Sequence, residues 1–326
     1  MKKYLFYPGC SMGDVARSYM VSLMAIKERI GLDLQEIDDW NCCGATEYFS
    51  VNQLPAHALV GRNLALAQDQ SNGLDTIMAP CSACYLNLSK TENYMGESQA
   101  LNDAVNAALG AGGLNYKPGS MEIRHLLDII YHDIGLDVIK QHVTNPLKGL
   151  RVAAYYGCLI FRPDVNNRWT NPKSQMAFED IMEALGASVV DYPMRAECCS
   201  GHMPQIDRGT AYEMIRHLIN GAAEQSADVI ATLCPMCQLN LDMYQKEMNK
   251  YFRKQYSIPV IYITQLMGLA FGANPDELGI GSEFINPRAA LERVGTDFPE
   301  EELRPKQKKK NEGLPMPTMP SEVKER

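Results

Sequence analysis

Short apolar runs alternate with longer segments of helical period along this chain. Residues 3–7 read as a buried strand, and 16–30 as an amphipathic helix that Gly31 ends. Residues 34–37 read as a second strand, 55–67 as a helix and 76–79 as a third strand, after which Cys84 opens another helical stretch. Alternation of this kind predicts an α/β fold, with a largely parallel sheet covered by helices on both faces.

The pattern occurs twice. Leu5-Phe6-Tyr7-Pro8-Gly9-Cys10 aligns with Ala154-Tyr155-Tyr156-Gly157-Cys158, and Asn41-Cys42-Cys43-Gly44 with Glu197-Cys198-Cys199-Ser200-Gly201. The third strand and its Cys81 answer Ala227-Asp228-Val229-Ile230-Ala231-Thr232-Leu233-Cys234, and a Leu-Asn-Leu follows at Leu86 and again at Leu239. Self-similarity at this length means a duplicated domain and not a solenoid of short units. The expected architecture is two Rossmann-like parallel-sheet domains, 1–147 and 148–275, related by pseudo-two-fold symmetry. An irregular C-terminal extension, 276–326, follows as an extended or partner-bound segment.

Composition narrows the class. The 326 residues suffice for two domains with their own cores, and 46% hydrophobic with 21% charged residues is ordinary for a globular protein. A net charge of -8 argues against nucleic acid as a partner. The apolar run before Pro8 is too short for a signal peptide, and residues 260–273, interrupted by Thr264 and Gln265, fall short of a membrane span. A cytoplasmic location is expected, where thiols stay reduced and metal ligation or catalysis outweighs structural disulfides. From Glu300 the chain is rich in Glu, Lys and Pro, with Lys308, Lys309 and Lys310 in a row. That stretch reads as a solvated tail; the alternative is an arm that drapes over a partner and orders in the complex. Residues 110–113, the only glycine cluster, read as a plain loop, because they lack the context of a dinucleotide fingerprint.

All ten cysteines belong to the repeat: Cys10, Cys42, Cys43, Cys81 and Cys84, then Cys158, Cys198, Cys199, Cys234 and Cys237. Ligands of such sheets gather at the carboxyl ends of the strands, which is where Cys10, Cys42, Cys43 and Cys81 fall. Each set offers a lone cysteine, a vicinal pair and a Cys-x-x-Cys knuckle. Five thiolates exceed the four of tetrahedral zinc or an ordinary cubane, and neighbouring residues point apart, so a larger iron-sulfur cluster is favoured. A thioredoxin-like dithiol leaves three cysteines per half unexplained, and inert thiols do not explain the shared order. Zinc with a spare cysteine in one half is the minor alternative.

The order Cys, Cys-Cys-Gly, Cys-x-x-Cys resembles the cysteine-rich CCG domain, and two copies in one chain closely resemble the B subunit of heterodisulfide reductase. The resemblance runs to about Ala273. It implies that each five-cysteine set holds a noncubane [4Fe-4S] cluster and that the paired clusters face a site where a disulfide is split in two one-electron steps. It also implies partners that pass electrons in: the ferredoxin-like C subunit and the flavin-binding A subunit of the same complex. The chain itself has no further cysteines for a relay cluster. The expected activity is two-electron disulfide/thiol oxidoreduction, and the alternative is a CCG-domain electron-transfer subunit linking a dehydrogenase to quinone. One departure stands out. Ser200 separates the second pair from Gly201, with His202 behind it as a candidate proton donor to a departing thiolate or as a plain hydrogen-bonding residue. The departure weakens the case for coenzyme M and coenzyme B and leaves other thiols, or a lipoate-bound substrate, as expectations.

Overall fold

The computed structural model describes residues 1–45 and 48–296. Among the described residues, eight strands form two sheets of identical topology. The first contains β1 (Lys2–Phe6), β2 (Leu32–Glu36), β3 (Thr76–Ala79) and β4 (Glu122–His125), in the order β2-β1-β3-β4. The second contains β5 (Arg151–Tyr155), β6 (Ser188–Val189), β7 (Val229–Thr232) and β8 (Val260–Tyr262), in the order β6-β5-β7-β8. Every pairing is parallel. Helices on both faces explain why β3 and β7 are buried at all four residues and read as continuous apolar runs.

The sequence reading and the structure agree on β3 residue for residue. β2 begins two residues earlier than the periodicity indicates, because Leu32 pairs with Lys2 while Asp33, Gln35 and Glu36 dilute the apolar signal. The helix expected from Pro55 starts at Gln53 (Gln53–Asp69), since proline, which lacks an N–H, is tolerated in a helix's first turn. Residues 111–113 form a turn after helix Gln99–Gly110.

The two units share a core. Helix Arg17–Lys27 of the first lies against helix Ile263–Ala270 of the second, and helix Ala177–Ala184 of the second returns the contact against helix Leu136–His142 of the first. This reciprocity is what pseudo-two-fold symmetry requires. Tyr19, Leu23, Leu127, Ile130, Phe178, Ile181, Ile263 and Leu266 form part of one continuous apolar cluster across the contact. Ser22 and Thr264 hydroxyls meet at 2.6 Å on one side, and Tyr131 donates to Asp180 over 2.6 Å on the other. The second unit also sends a loop over the first: Asn93 donates to the Val165 carbonyl and Asn166 to the Ser89 hydroxyl.

The extension expected from residue 276 divides. Residues 276–296 pack on the body, with Leu278 and Leu291 fully buried. The buried Asp242 carboxylate accepts the amides of Phe284 at 2.7 Å and Ile285 at 3.0 Å. Its pKa is pushed up to about 6 by burial, against those two bonds. The tail from Glu300, with Lys308–310, lies outside the described residues. Among the described residues no helix is long and apolar enough to cross a membrane.

Candidate functional site

The strand order reverses between β1 and β3, and again between β5 and β7, the switch points where such sheets bind ligands. Cys10 follows β1, Cys42 and Cys43 follow β2, and Cys81 follows β3; Cys158, Cys198, Cys199 and Cys234 repeat this after β5, β6 and β7. Cys81 N-caps helix Ser82–Glu97 and Cys234 N-caps helix Pro235–Met243, so Cys84 and Cys237 fall in the first turns. Hydrogen bonds to neighbouring thiols, with burial, push the thiols of Cys84 and Cys237 well above the usual range.

Both sets converge as chains of sulfur contacts. Cys10 and Cys42 Sγ lie 3.5 Å apart, as do Cys43 and Cys84. Cys84 continues to Cys81, and in the second set Cys158 pairs with Cys198 and Cys237 with both Cys199 and Cys234. Cys81 and Cys234 then interact directly, joining the sets. Hydrogen bonds from neighbouring thiols hold Cys43 and Cys234 well below the usual thiol range, and the Cys158 bond pulls Cys198 down to about 6. Cys10, Cys42 and Cys198 are exposed, Cys158 is half-buried and the other six are buried. Among the described residues no three His, Cys, Asp or Glu side chains close around a single ion position.

Three supports recur behind each set. Tyr7 donates to the Asn41 carbonyl at 2.7 Å and Tyr155 to the Glu197 carbonyl at 2.8 Å, in each case the residue before the vicinal pair. Asn87 and Asn240 each donate over 3.0 Å to the carbonyl of the pair's second member, Cys43 or Cys199. Gly9 and Gly157 both adopt φ +74°, and a Cβ there would lie 2.8 Å from Cys84 Sγ or 2.9 Å from Cys237 Sγ. Only glycine allows that approach at that backbone angle. The vicinal pair is thus held from both sides, with the knuckle seated on a glycine.

An apolar cavity of about 310 Å³ opens at the second set. Cys158, Cys198, Cys199, Cys234 and Cys237 line it with Leu159, Met203, Ile206 and Met236, and Ser82 and Ala83 reach it from the first unit beside Cys81. His202 and Ser200 also border it.

The cysteine-rich CCG domain model matches residues 4–89 and again 152–242. The chain belongs to the CCG family. Curated relatives are similar to it over most of its length. The 8-methylmenaquinol:fumarate reductase membrane anchor subunit of Wolinella succinogenes is 33% identical over 285 residues, 87% of this chain and 98% of its own. The B subunit of the ferredoxin/F(420)H(2)-dependent CoB-CoM heterodisulfide reductase of Methanosarcina acetivorans is 30% identical over 302 residues, 90% of this chain and 97% of its own. A crystal structure of a hypothetical protein from Helicobacter pylori shares the fold at a TM-score of 0.67 and 14% identity, covering 87% of this chain and 52% of that one.

The CCG donor sets fit iron-sulfur chemistry. Five soft sulfur donors per unit, strung over a chain of contacts with space beside them, offer separate iron positions. Cys10, Cys42, Cys43, Cys81 and Cys84 would hold the first group; Cys158, Cys198, Cys199, Cys234 and Cys237 would hold the second.

The second CCG unit carries its departure in the backbone. Where the first turns on Gly44 alone at φ +66°, the second turns on Ser200 at φ +78° and Gly201 at φ +55°. Asn240 follows the longer turn with an added bond to the Gly201 carbonyl at 2.7 Å. Sequence reasoning does not single out Tyr7, Tyr155, Asn87, Asn240, Gly9 or Gly157 as site residues. Their signal is present all the same: each sits at a constant offset from a cysteine in both copies.

Proposed function

We propose that the two thiol sets hold paired noncubane [4Fe-4S] clusters and that the chain is the sulfur-redox catalytic subunit of a heterodisulfide-reductase-like complex. The observation that carries this reading is the approach of the two sets, with Cys81 of the first interacting with Cys234 of the second, so that electrons held at either set could reach one substrate. Bound there, the clusters would supply one-electron transfers in pairs. The protein's part is placement and exclusion of water. Tyr7, Tyr155, Asn87 and Asn240 fix the cysteine backbones, Leu159, Met203 and Met236 keep the cavity apolar, and His202 is positioned at its wall to give a proton to a departing thiolate. Electrons arrive at the exposed Cys10–Cys42 side from partners, in this reading the ferredoxin-like C subunit and the flavin-binding A subunit. The test is reduction of an organic disulfide by anaerobically purified protein supplied with reduced methyl viologen. Two thiols per disulfide at the expense of two viologen radicals supports the reading, and no disulfide-dependent viologen oxidation contradicts it.

The 33% identity to a quinol-linked fumarate reductase subunit favours one second reading, electron transfer between a dehydrogenase and quinone. Under that reading a menaquinol analogue reduces the protein, and disulfides leave it unchanged.

A further inference from the structure

We infer that the Tyr262 hydroxyl donates a hydrogen bond to a sulfur of the iron-sulfur group at the Cys81–Cys234 junction, raising that group's reduction potential. The inference rests on the cluster assignment in the reading above and names a residue that tunes it. Tyr262 closes β8 and is 1% exposed, and its hydroxyl has no hydrogen-bond partner among the described residues. The phenol extends too far to reach the first amides of its own helix, Ile263–Ala270. Its backbone amide serves that helix end instead, donating to Gln265 Oε1 at 2.9 Å. A buried hydroxyl left unpaired costs free energy that a nearby acceptor recovers.

Sulfurs are the acceptors at hand. Tyr262 lies in register with Thr232, two positions before Cys234. Its ring stacks on Tyr19 of the first unit at 4.4 Å and an interplanar angle of 6°, and Tyr19 donates to the carbonyl of Pro80, the residue before Cys81. The stack therefore stands beside both knuckles. The Cys234 sulfur acts on the Tyr262 hydroxyl more strongly than Cys81 or Cys237 does. As free thiols these groups share protons among themselves; as iron ligands they are thiolates, which only accept. A donor to a cluster sulfur favours the reduced, more negative state, so the potential rises. The first unit places His125 at the matching position, opposite Ala79, and engages both ring nitrogens internally, with the Leu127 amide and the Ser82 hydroxyl. The free donor belongs to the second unit.

Redox titration of anaerobic holoprotein, followed by EPR, reads the potential, and ENDOR after deuterium exchange reads protons bonded to the cluster. Tyr262→Phe keeps the stack and removes only the donor. It is expected to shift one centre's reduction equilibrium about tenfold toward the oxidised form, a fall of about 59 mV for a one-electron couple, and to lose one exchangeable proton coupling. Tyr192→Phe is the control. That hydroxyl is also buried and feels the Cys237 sulfur, but it already donates to the Leu218 carbonyl at 3.0 Å, so potential and coupling should stay unchanged. A merely structural role for Tyr262 would alter thermal stability and leave the coupling in place. Should Tyr262→Phe fail to hold iron, a fluorinated tyrosine at position 262, a stronger donor of nearly the same shape, should raise the midpoint instead. A fall below threefold in Tyr262→Phe, a rise, a surviving coupling or an equal shift in Tyr192→Phe overturns the inference, as does a fluorinated protein that titrates with the parent. The cluster reading then stands. If the parent itself shows no titrating iron-sulfur signal, the cluster reading falls and the inference with it.

Discussion

Asn240 donates its side-chain amide to the Cys199 carbonyl across 3.0 Å, from the helix that also carries Cys237. The bond ties the vicinal pair to the knuckle, and Asn87 repeats it on Cys43. Removing the donor leaves a buried carbonyl without a partner, which costs about 1–3 kcal/mol. Asn87→Ala is expected to destabilise the holoprotein by that amount. Asn240→Ala is expected to cost more, since Asn240 also serves the Gly201 carbonyl. Chemical denaturation under anaerobic conditions measures both, and a loss below about 0.5 kcal/mol in each would show that the bonds do not hold the pairs.

Gly9 and Gly157 make a sharper test because each serves one set. Gly9→Ala drives a Cβ to 2.8 Å from Cys84 Sγ, and Gly157→Ala to 2.9 Å from Cys237 Sγ, both at a positive φ. Each variant should retain about half the iron of the parent protein, with the loss confined to its own set. Gly13→Ala, where an added Cβ meets nothing within 4 Å, serves as the control and should keep its full complement. Full iron in all three variants would contradict the account of the glycine seat.

His125 sets a pH dependence. Its ring is fully buried, and burial pushes its pKa down to about 3. Nδ1 accepts the Leu127 amide at 3.1 Å, which assigns the proton of the neutral ring to Nε2, facing the Ser82 hydroxyl at 3.4 Å. The unfolded chain takes up this proton near pH 6.5, whereas the native chain holds off until about 3. Between those values the unfolded state binds more protons, so stability is complete above pH 6.5 and falls as the pH drops, by up to about 1.4 kcal/mol per unit. Urea unfolding at pH 7.5 and pH 5 should show a shallower loss for His125→Gln than for the parent. Equal losses would mean that His125 is protonated in the native state.

Much of this was legible because duplication doubles each signal. The cysteine order, the strand at Thr76–Ala79 and the Leu-Asn-Leu after each knuckle are visible without coordinates. What stayed hidden depends on tertiary approach. Tyr19 and Tyr262 stack at 4.4 Å between centroids, one from each unit, and no spacing along the chain relates them. The Cys81–Cys234 interaction joins sets more than 150 positions apart, and helices Arg17–Lys27 and Ile263–Ala270 lie together across the same interface. Residues 276–296 look irregular in sequence, yet Leu278 and Leu291 are buried and the Asp242 carboxylate, more than forty positions away, accepts two amides of the segment.

The central claim, two polynuclear iron-sulfur sites in one chain, is tested most directly by metal analysis of anaerobically purified protein. About eight irons per chain, with matching acid-labile sulfide and negligible zinc, is the predicted result. One zinc per unit without sulfide would contradict it.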